Sequence, residues 1–208
     1  MKRKGNKQRG RRVDSRNVFV RTLIVTEGTR TEPDYFRHFT DRLSKVVVFG
    51  EGKSTVALVN KALAIPELED YDRVWVVFDK DENTDFNDAI VLAETHGLNV
   101  AWSNEAFELW LYLHFQYLST AVSRAQYPQM LEREIGRFVK GFKYAKNESV
   151  YDILQRFGNE NLAVENARKL CALNDDSDYA ARNPCTTVHL LVEELRNPEK
   201  ILEAKREE

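Results

Sequence analysis

The sequence predicts an α/β fold, an open parallel sheet of four strands with helices on both faces, continued by a C-terminal helical extension. Three observations predict it. Four short runs rich in β-branched and aromatic residues (VFVRTLIV, KVVVF, RVWVVF and LNVAWS) are continuously apolar rather than alternating, as strands buried on both faces require. A segment of helical period follows each of them, which supplies the crossovers that parallel strands need. Beyond Tyr117 no strand-like run occurs, and apolar residues recur at helical spacing instead.

Taken in order, VFVRTLIV runs as a strand into the tight Thr26-Glu27-Gly28 loop. Thr31 then caps a helix with Pro33 in its first turn, and Phe36, Phe39 and Leu43 carry its apolar face to about residue 44. KVVVF is the second strand, ended by Gly50-Glu51-Gly52, and STVALVNKALA is a helix that Pro66 closes. RVWVVF is the third strand, and FNDAIVLAETHG is a helix with Gly97 as its C′ residue. LNVAWS, the fourth strand, leads into the helix around FELWLYLHF. YPQMLEREIGRFV, VYDILQRF, NLAVENARKLCAL and TVHLLVEEL read as amphipathic helices, the last following Asn183-Pro184. The organisation expected is a disordered basic arm over residues 1–17, an α/β domain over 18–117 and a helical region over 118–208 packed on it.

Composition narrows the function classes. With 208 residues, 42% of them hydrophobic, the chain can bury a sizeable core. Its most apolar stretch, AFELWLYLHFQYL, is broken by Glu108, His114 and Gln116, so no membrane span is expected. The N-terminus has charge without an apolar core and does not read as a secretory signal. Cys171 and Cys185 show neither CxxC spacing nor a His partner, which speaks against a disulfide framework or zinc site and for a cytoplasmic location. The net charge of -2 is uneven: residues 1–16 hold eight Lys/Arg against one acid, leaving 23 bases against 32 acids in residues 17–208. Cations of the arm, Arg11 and Arg12 among them, can pair with nucleic-acid phosphates; a solubilising tail is the plainer reading.

In an open parallel sheet, ligands bind beyond the carboxyl ends of the strands. The first strand delivers Glu27 to that edge, and the third delivers Asp79 and Asp81. Residues two apart in an extended segment point the same way, so these two aspartates can aim at one point. Clustered carboxylates repel one another unless a cation lies between them, and Mg²⁺ or Mn²⁺ takes such hard oxygen ligands. The plainer alternative is an acidic loop with a helix-capping aspartate.

Further candidates lie on the same edge. Gly50-Glu51-Gly52-Lys53-Ser54-Thr55 falls short of a P-loop, because position 47 is Val47 rather than glycine. Lys53 and Ser54 could still contact a phosphate, with an ordinary N-capping turn as the alternative. Phe107, Trp110, Leu111 and His114 share one helical face that reads as core, whereas Glu108 stands on a neighbouring face as a further catalytic carboxylate. His114 is either a general acid–base or a hydrogen-bonded core histidine. Lys146, after Gly141-Phe142-Lys143-Tyr144, is a candidate for stabilising charge on a phosphate, against a default of a solvated surface lysine.

LIVTEGTRTEPDYF, GEGKST, VWVVFDKDE, SNEAFELWLYLHF and NPCTTVHLLVEEL resemble, in order, the successive signatures of the RloB/AbiLii-like family of bacterial restriction and abortive-infection loci. The first and third blocks also resemble the Toprim pattern, a Glu after the first strand and DxD after the third. What the resemblance implies is a Toprim-like (Rossmann-like) fold and anti-phage defence beside an ATPase partner. It implies a Mg²⁺- or Mn²⁺-dependent nuclease acting on DNA or RNA, tRNA included. A Toprim-like site would hold metal on Glu27, Asp79 and Asp81, with Glu82 or Glu32 as an outer or second-metal ligand. A charge at Glu32 also suits the start of the first helix. The alternative is a non-catalytic nucleic-acid-binding or adaptor subunit; the oligomeric state is left open.

Overall fold

The computed structural model describes residues 19–53, 55–145 and 150–207. Strands β1 (Val20–Thr26), β2 (Ser44–Gly50), β3 (Arg73–Asp79) and β4 (Asn99–Ser103) form one parallel sheet in the order β2-β1-β3-β4. Thr26 pairs with Gly50 on one side and with Val77 on the other, and Asp79 pairs with Ser103. The chain therefore leaves β1 to one side for β2 and crosses back to β3 on the other. All four carboxyl ends share one edge, and the crossing directions reverse between β1 and β3, where a crevice opens in sheets of this kind.

Two cores follow from the alternation of side chains along the buried strands. Leu23, Val25, Val76, Phe78 and Trp102 face α2 (Thr55–Leu63) and α3 (Phe86–Thr95). Ile24, Trp75, Val77 and Ala101 face α1 (Thr31–Phe36) and α4 (Glu108–Leu113). That second core continues without a break into α5 (Tyr127–Ile135), α6 (Tyr151–Phe157), α7 (Glu160–Leu173) and α8 (Val188–Arg196). Trp110, Tyr127, Phe36 and Phe107 are fully buried within it, each contributing about 1.5–3 kcal/mol or more relative to exposure. The expected α/β sheet with flanking and C-terminal helices is the fold of the chain. Gly97 ends α3 with φ +73°, its N–H donating to Glu94 O, as the expected C′ glycine should.

Three local expectations need correcting. The first helix does not reach residue 44; α1 stops at Phe36, a 3₁₀ turn covers Arg37–Phe39, and Thr40 is extended. The reason lies in Asp41, whose carboxylate accepts from Leu43 N and Ser44 N at 2.8 Å each and turns the chain into β2. Nor does Thr31 cap this helix: Arg30 holds the N-cap position, where its side chain makes no capping hydrogen bond. A further helix, α9 (Pro198–Glu207), closes over Val20 through Ile201 and Leu202, two apolar residues being too few to show a period. The segment before α8 also lies along the end of β4: Ser103 and Thr186 form an antiparallel bridge, and Thr187 exchanges hydrogen bonds with Trp102.

α7 and this segment bring two free thiols, Cys171 and Cys185, to an Sγ–Sγ distance of 3.3 Å, a proximity that their sequence spacing does not show. Among the described residues no helix is long and apolar enough to cross a membrane.

Candidate active site

The crevice between β1 and β3 is walled by carboxylates. Glu27 follows β1 directly, its N–H donating to Val77 O at 2.8 Å, which keeps the residue in line with the sheet edge. Its carboxylate in turn accepts from Asp79 N (3.1 Å) and from the Asn83 side chain. Glu32, in the first turn of α1, is buried at 7% exposure with its carboxylate directly above Gly28. A Cβ at position 28 would stand 2.1 Å from Glu32 Oε2, so any other residue there would displace that carboxylate from its present place. Glu108 opens α4 at 4% exposure and accepts a 2.8 Å hydrogen bond from Tyr144 Oη. Thr31 also hydrogen-bonds this tyrosine side chain.

Asp79 stands among these groups. Burial, then the charges of Glu32, Glu108 and Glu27, push its pKa well above the ordinary carboxylate value, against a hydrogen bond from Phe107 N–H. Burial raises Glu27 too, with Asn83, Asp79 N–H and Arg124 opposing. A cavity of about 210 Å³ opens here, lined by residues 27–32, Asp79, Asp81 and Arg124.

Asp81 arrives by a different route from the one its spacing suggests. β3 ends at Asp79, and Asp81 sits in the following turn with φ +36°, so strand alternation does not aim it. It nevertheless lines the cavity, and there it is ion-paired with Arg124. Glu82 is exposed on the same turn and is not part of the cavity lining. Lys80 turns away, donating its N–H to Ser103 O and its Nζ to Asp81 O.

The other candidates are scattered. His114 lies at the far end of α4 from Glu108, buried at 2% exposure, with Nδ1 3.0 Å from Trp110 O and Nε2 without a hydrogen-bond partner. Burial lowers its pKa to about 4, which describes a neutral core histidine packed against Tyr35 and Trp110. Lys53 is exposed, and the backbone around it is already engaged: Glu51 N and Gly52 N donate to Thr26 O and Glu27 O. The Asp85 carboxylate takes the start of α2, accepting from the Thr55 hydroxyl and Val56 N, so the expected phosphate cradle is filled by a side chain of the protein itself. Ser54, Lys146, Arg11 and Arg12 lie outside the described residues.

Arg124, Tyr144 and Asn83 are site residues that the motifs do not reveal. Arg124 begins a 3₁₀ turn held by a capping box between Ser123 and Gln126, and its N–H donates to Glu105 Oε2 at 2.9 Å. The S-x-x-Q signature before an apolar helix was legible, but not the return of that turn to the sheet edge. Tyr144 has no local signature. Its hydroxyl satisfies a buried carboxylate, so Tyr144→Phe should lower stability by about 1–3 kcal/mol, read as a fall in denaturation midpoint at unchanged m-value.

The donor set consists of oxygens alone, the chemistry that Mg²⁺ or Mn²⁺ accepts. The space that Gly28 leaves for Glu32 and the mutual repulsion around Asp79 fit a cation as well. Among the described residues, however, no three His, Cys, Asp or Glu side chains are already drawn into one coordination group. The Arg124 guanidinium meanwhile occupies the Asp81 carboxylate. A cation fits this site once Arg124 gives up Asp81.

Neither the curated proteins nor the solved structures contain a match to the chain. The family model of RloB-like proteins matches residues 22–195, from the third residue of β1 to the last turn of α8. The family points to a protein related to defence or restriction loci. With that match over most of its length, the chain belongs to the RloB-like protein family.

Proposed function

We propose that this chain is a Mg²⁺- or Mn²⁺-dependent phosphodiesterase that cuts nucleic acid, DNA or RNA, as an anti-phage effector working beside an ATPase partner. One observation carries the reading: Glu27, Glu32 and Glu108 converge on Asp79 where the sheet topology opens a crevice, at a cost in repulsion that packing alone does not require. Glu27 and Asp79, with Asp81 and Glu32, would hold the metal, and Glu108 would serve as an outer carboxylate. Bound there, such an ion supplies neutralisation of a phosphate and acidification of a water.

The protein's own groups set the stage for that chemistry. Asp79 N–H and Asn83 orient Glu27. Tyr144 fixes Glu108, its hydroxyl donating to the carboxylate. Arg124 screens Asp81 and can turn to a phosphate oxygen when released. Incubation of the purified chain with plasmid DNA, total RNA and tRNA in Mn²⁺ or Mg²⁺ tests the reading. Cutting by wild type, and its loss by at least 10³-fold in Asp79→Ala, is the expected result.

The Arg124–Asp81 pair favours a second reading, a non-catalytic nucleic-acid adaptor in which the guanidinium stands permanently in the cation's place. Intact nucleic-acid binding without cutting, with an ATPase partner present, decides for it.

A further inference from the structure

We infer that the surface running from Tyr144 back along the end of α5 to Phe138 and Phe157 binds single-stranded nucleic acid and leads it to the acidic cavity. The direction of threading rests on the phosphodiesterase reading; the binding surface itself does not.

Charge is the first support. In a chain whose residues 17–208 hold 23 bases against 32 acids, residues 132–145 reverse the balance with Arg133, Arg137, Lys140 and Lys143 against Glu132 and Glu134. Glu134 is buried and pairs with both arginines, while Glu132 pairs with Lys143. These bonds hold the cations in a row without covering them: the side chains of Arg133, Arg137 and Lys143 are 64%, 61% and 82% exposed. Lys140 is exposed as well. A row of held but solvent-facing cations is what a phosphate backbone pairs with, releasing its counterions.

Aromatic exposure is the second. Phe138, 52% exposed, stacks on Phe157 with ring centroids 5.3 Å apart and planes 15° from parallel. Phe115 closes the group from below at 6.3 Å, and the Arg156 guanidinium lies over the Phe157 ring at 5.0 Å. A flat aromatic face beside guanidinium groups accepts any unpaired base, whereas bases within a duplex have their faces covered by neighbours. That combination selects single strands over double strands. A protein partner would gain from the apolar face but has less use for five exposed cations around it.

Position is the third. The same segment supplies both ends of the path. Tyr144, next to Lys143, reaches Glu108 at the start of α4, and Phe138 meets Phe115 just past its end. Seven residues of that stretch separate them by about 10 Å, a reach of a few nucleotides. Arg133 is tied to the Tyr112 hydroxyl between the two.

Fluorescence anisotropy in EDTA, with fluorescein-labelled single-stranded RNA and DNA 12-mers and the matching duplex, tests the surface apart from any cutting. Full-length wild type is expected to bind a single strand tighter than the duplex, and preference for either sugar supports the surface and names its substrate. Phe138→Ala should weaken binding by about tenfold or more, and Phe138→Trp should restore it. Arg137→Gln and Lys140→Gln should each lower the salt slope by about 0.7. Phe49→Ala, which removes an exposed aromatic from β2, should change nothing. Equal affinity of Phe138→Ala and wild type, at equal melting temperatures, overturns the inference. So does duplex binding as tight as single-strand binding, or Phe138→Ala losing a protein partner while keeping the oligonucleotide. Single-strand binding in EDTA without cutting in Mg²⁺ or Mn²⁺, with an ATPase partner present, leaves the surface standing and removes the phosphodiesterase reading; cutting with no dependence on Phe138 does the reverse.

Discussion

Metal-free protein carrying Asp79→Asn is expected to melt above the wild type at pH 7, by an amount worth about 1–2 kcal/mol, which for a chain of this size is roughly 2–8 °C. The sign follows from linkage. A carboxyl whose pKa is raised in the folded state binds more protons folded than unfolded once the pH passes its ordinary value, so stability declines as pH rises from there toward the folded pKa. Asp79 is raised by burial and by Glu32, Glu108 and Glu27, and Glu27 is raised by burial. Wild type in EDTA should therefore lose stability as the pH climbs from about 4 toward neutrality. The asparagine removes the larger part of that slope while still accepting the Phe107 N–H. Added Mn²⁺ should raise the wild-type melting temperature and leave the variant nearly unmoved. Thermal melts across pH with EDTA or Mn²⁺ make the comparison. A wild type that is the more stable partner at pH 7 in EDTA, with no response to Mn²⁺, would mean that the carboxylates are not held together at their own expense.

Sheet and edge were legible because both depend on short-range signals. Continuous apolar strands separated by helical period leave few arrangements other than a parallel sheet, and a residue that follows such a strand must lie at its carboxyl edge; Glu27 and Asp79 were therefore placed by pattern alone. Asp81 shows the limit. Its spacing from Asp79 suggests a shared direction, yet the strand ends at Asp79, two residues short of it, and the turn at φ +36° decides its aim. Glu32 looked like a helix-start residue and is one, but the glycine four residues before it gives its carboxylate a second role inside the cavity. Arg124 and Tyr144 come from 45 and 65 residues beyond Asp79. They reach the site only through the packing of α5 and its flanking turns on α4, and no local pattern encodes that contact. His114 has the opposite history: a residue type rich in chemistry, on the face of α4 that the 3.6-residue period assigns to the core, lies where the period puts it.

Arg124→Ala separates the two things that a guanidinium can do in an acidic cavity. Its side chain now neutralises Asp81 and lowers the cost of an ionised Glu27, so it competes for the place that a divalent cation would take. Its removal should tighten Mn²⁺ binding by about three- to tenfold, read from the free-ion signal in an electron paramagnetic resonance titration. The same change should slow cutting of a single-stranded substrate by about 10²-fold, because the guanidinium that would meet the phosphate once Asp81 is released has been removed. Arg124→Lys keeps the charge and loses the fork, and should recover metal competition more fully than turnover. The variant should fold, since the backbone N–H of residue 124, not its side chain, makes the bond to Glu105, and Ser123 with Gln126 caps the turn. Weaker Mn²⁺ binding in Arg124→Ala would show that the guanidinium organises the carboxylates rather than standing in for a metal. In that case Asp81 belongs to a structural ion pair, and the cation site contracts to Glu27, Glu32 and Asp79.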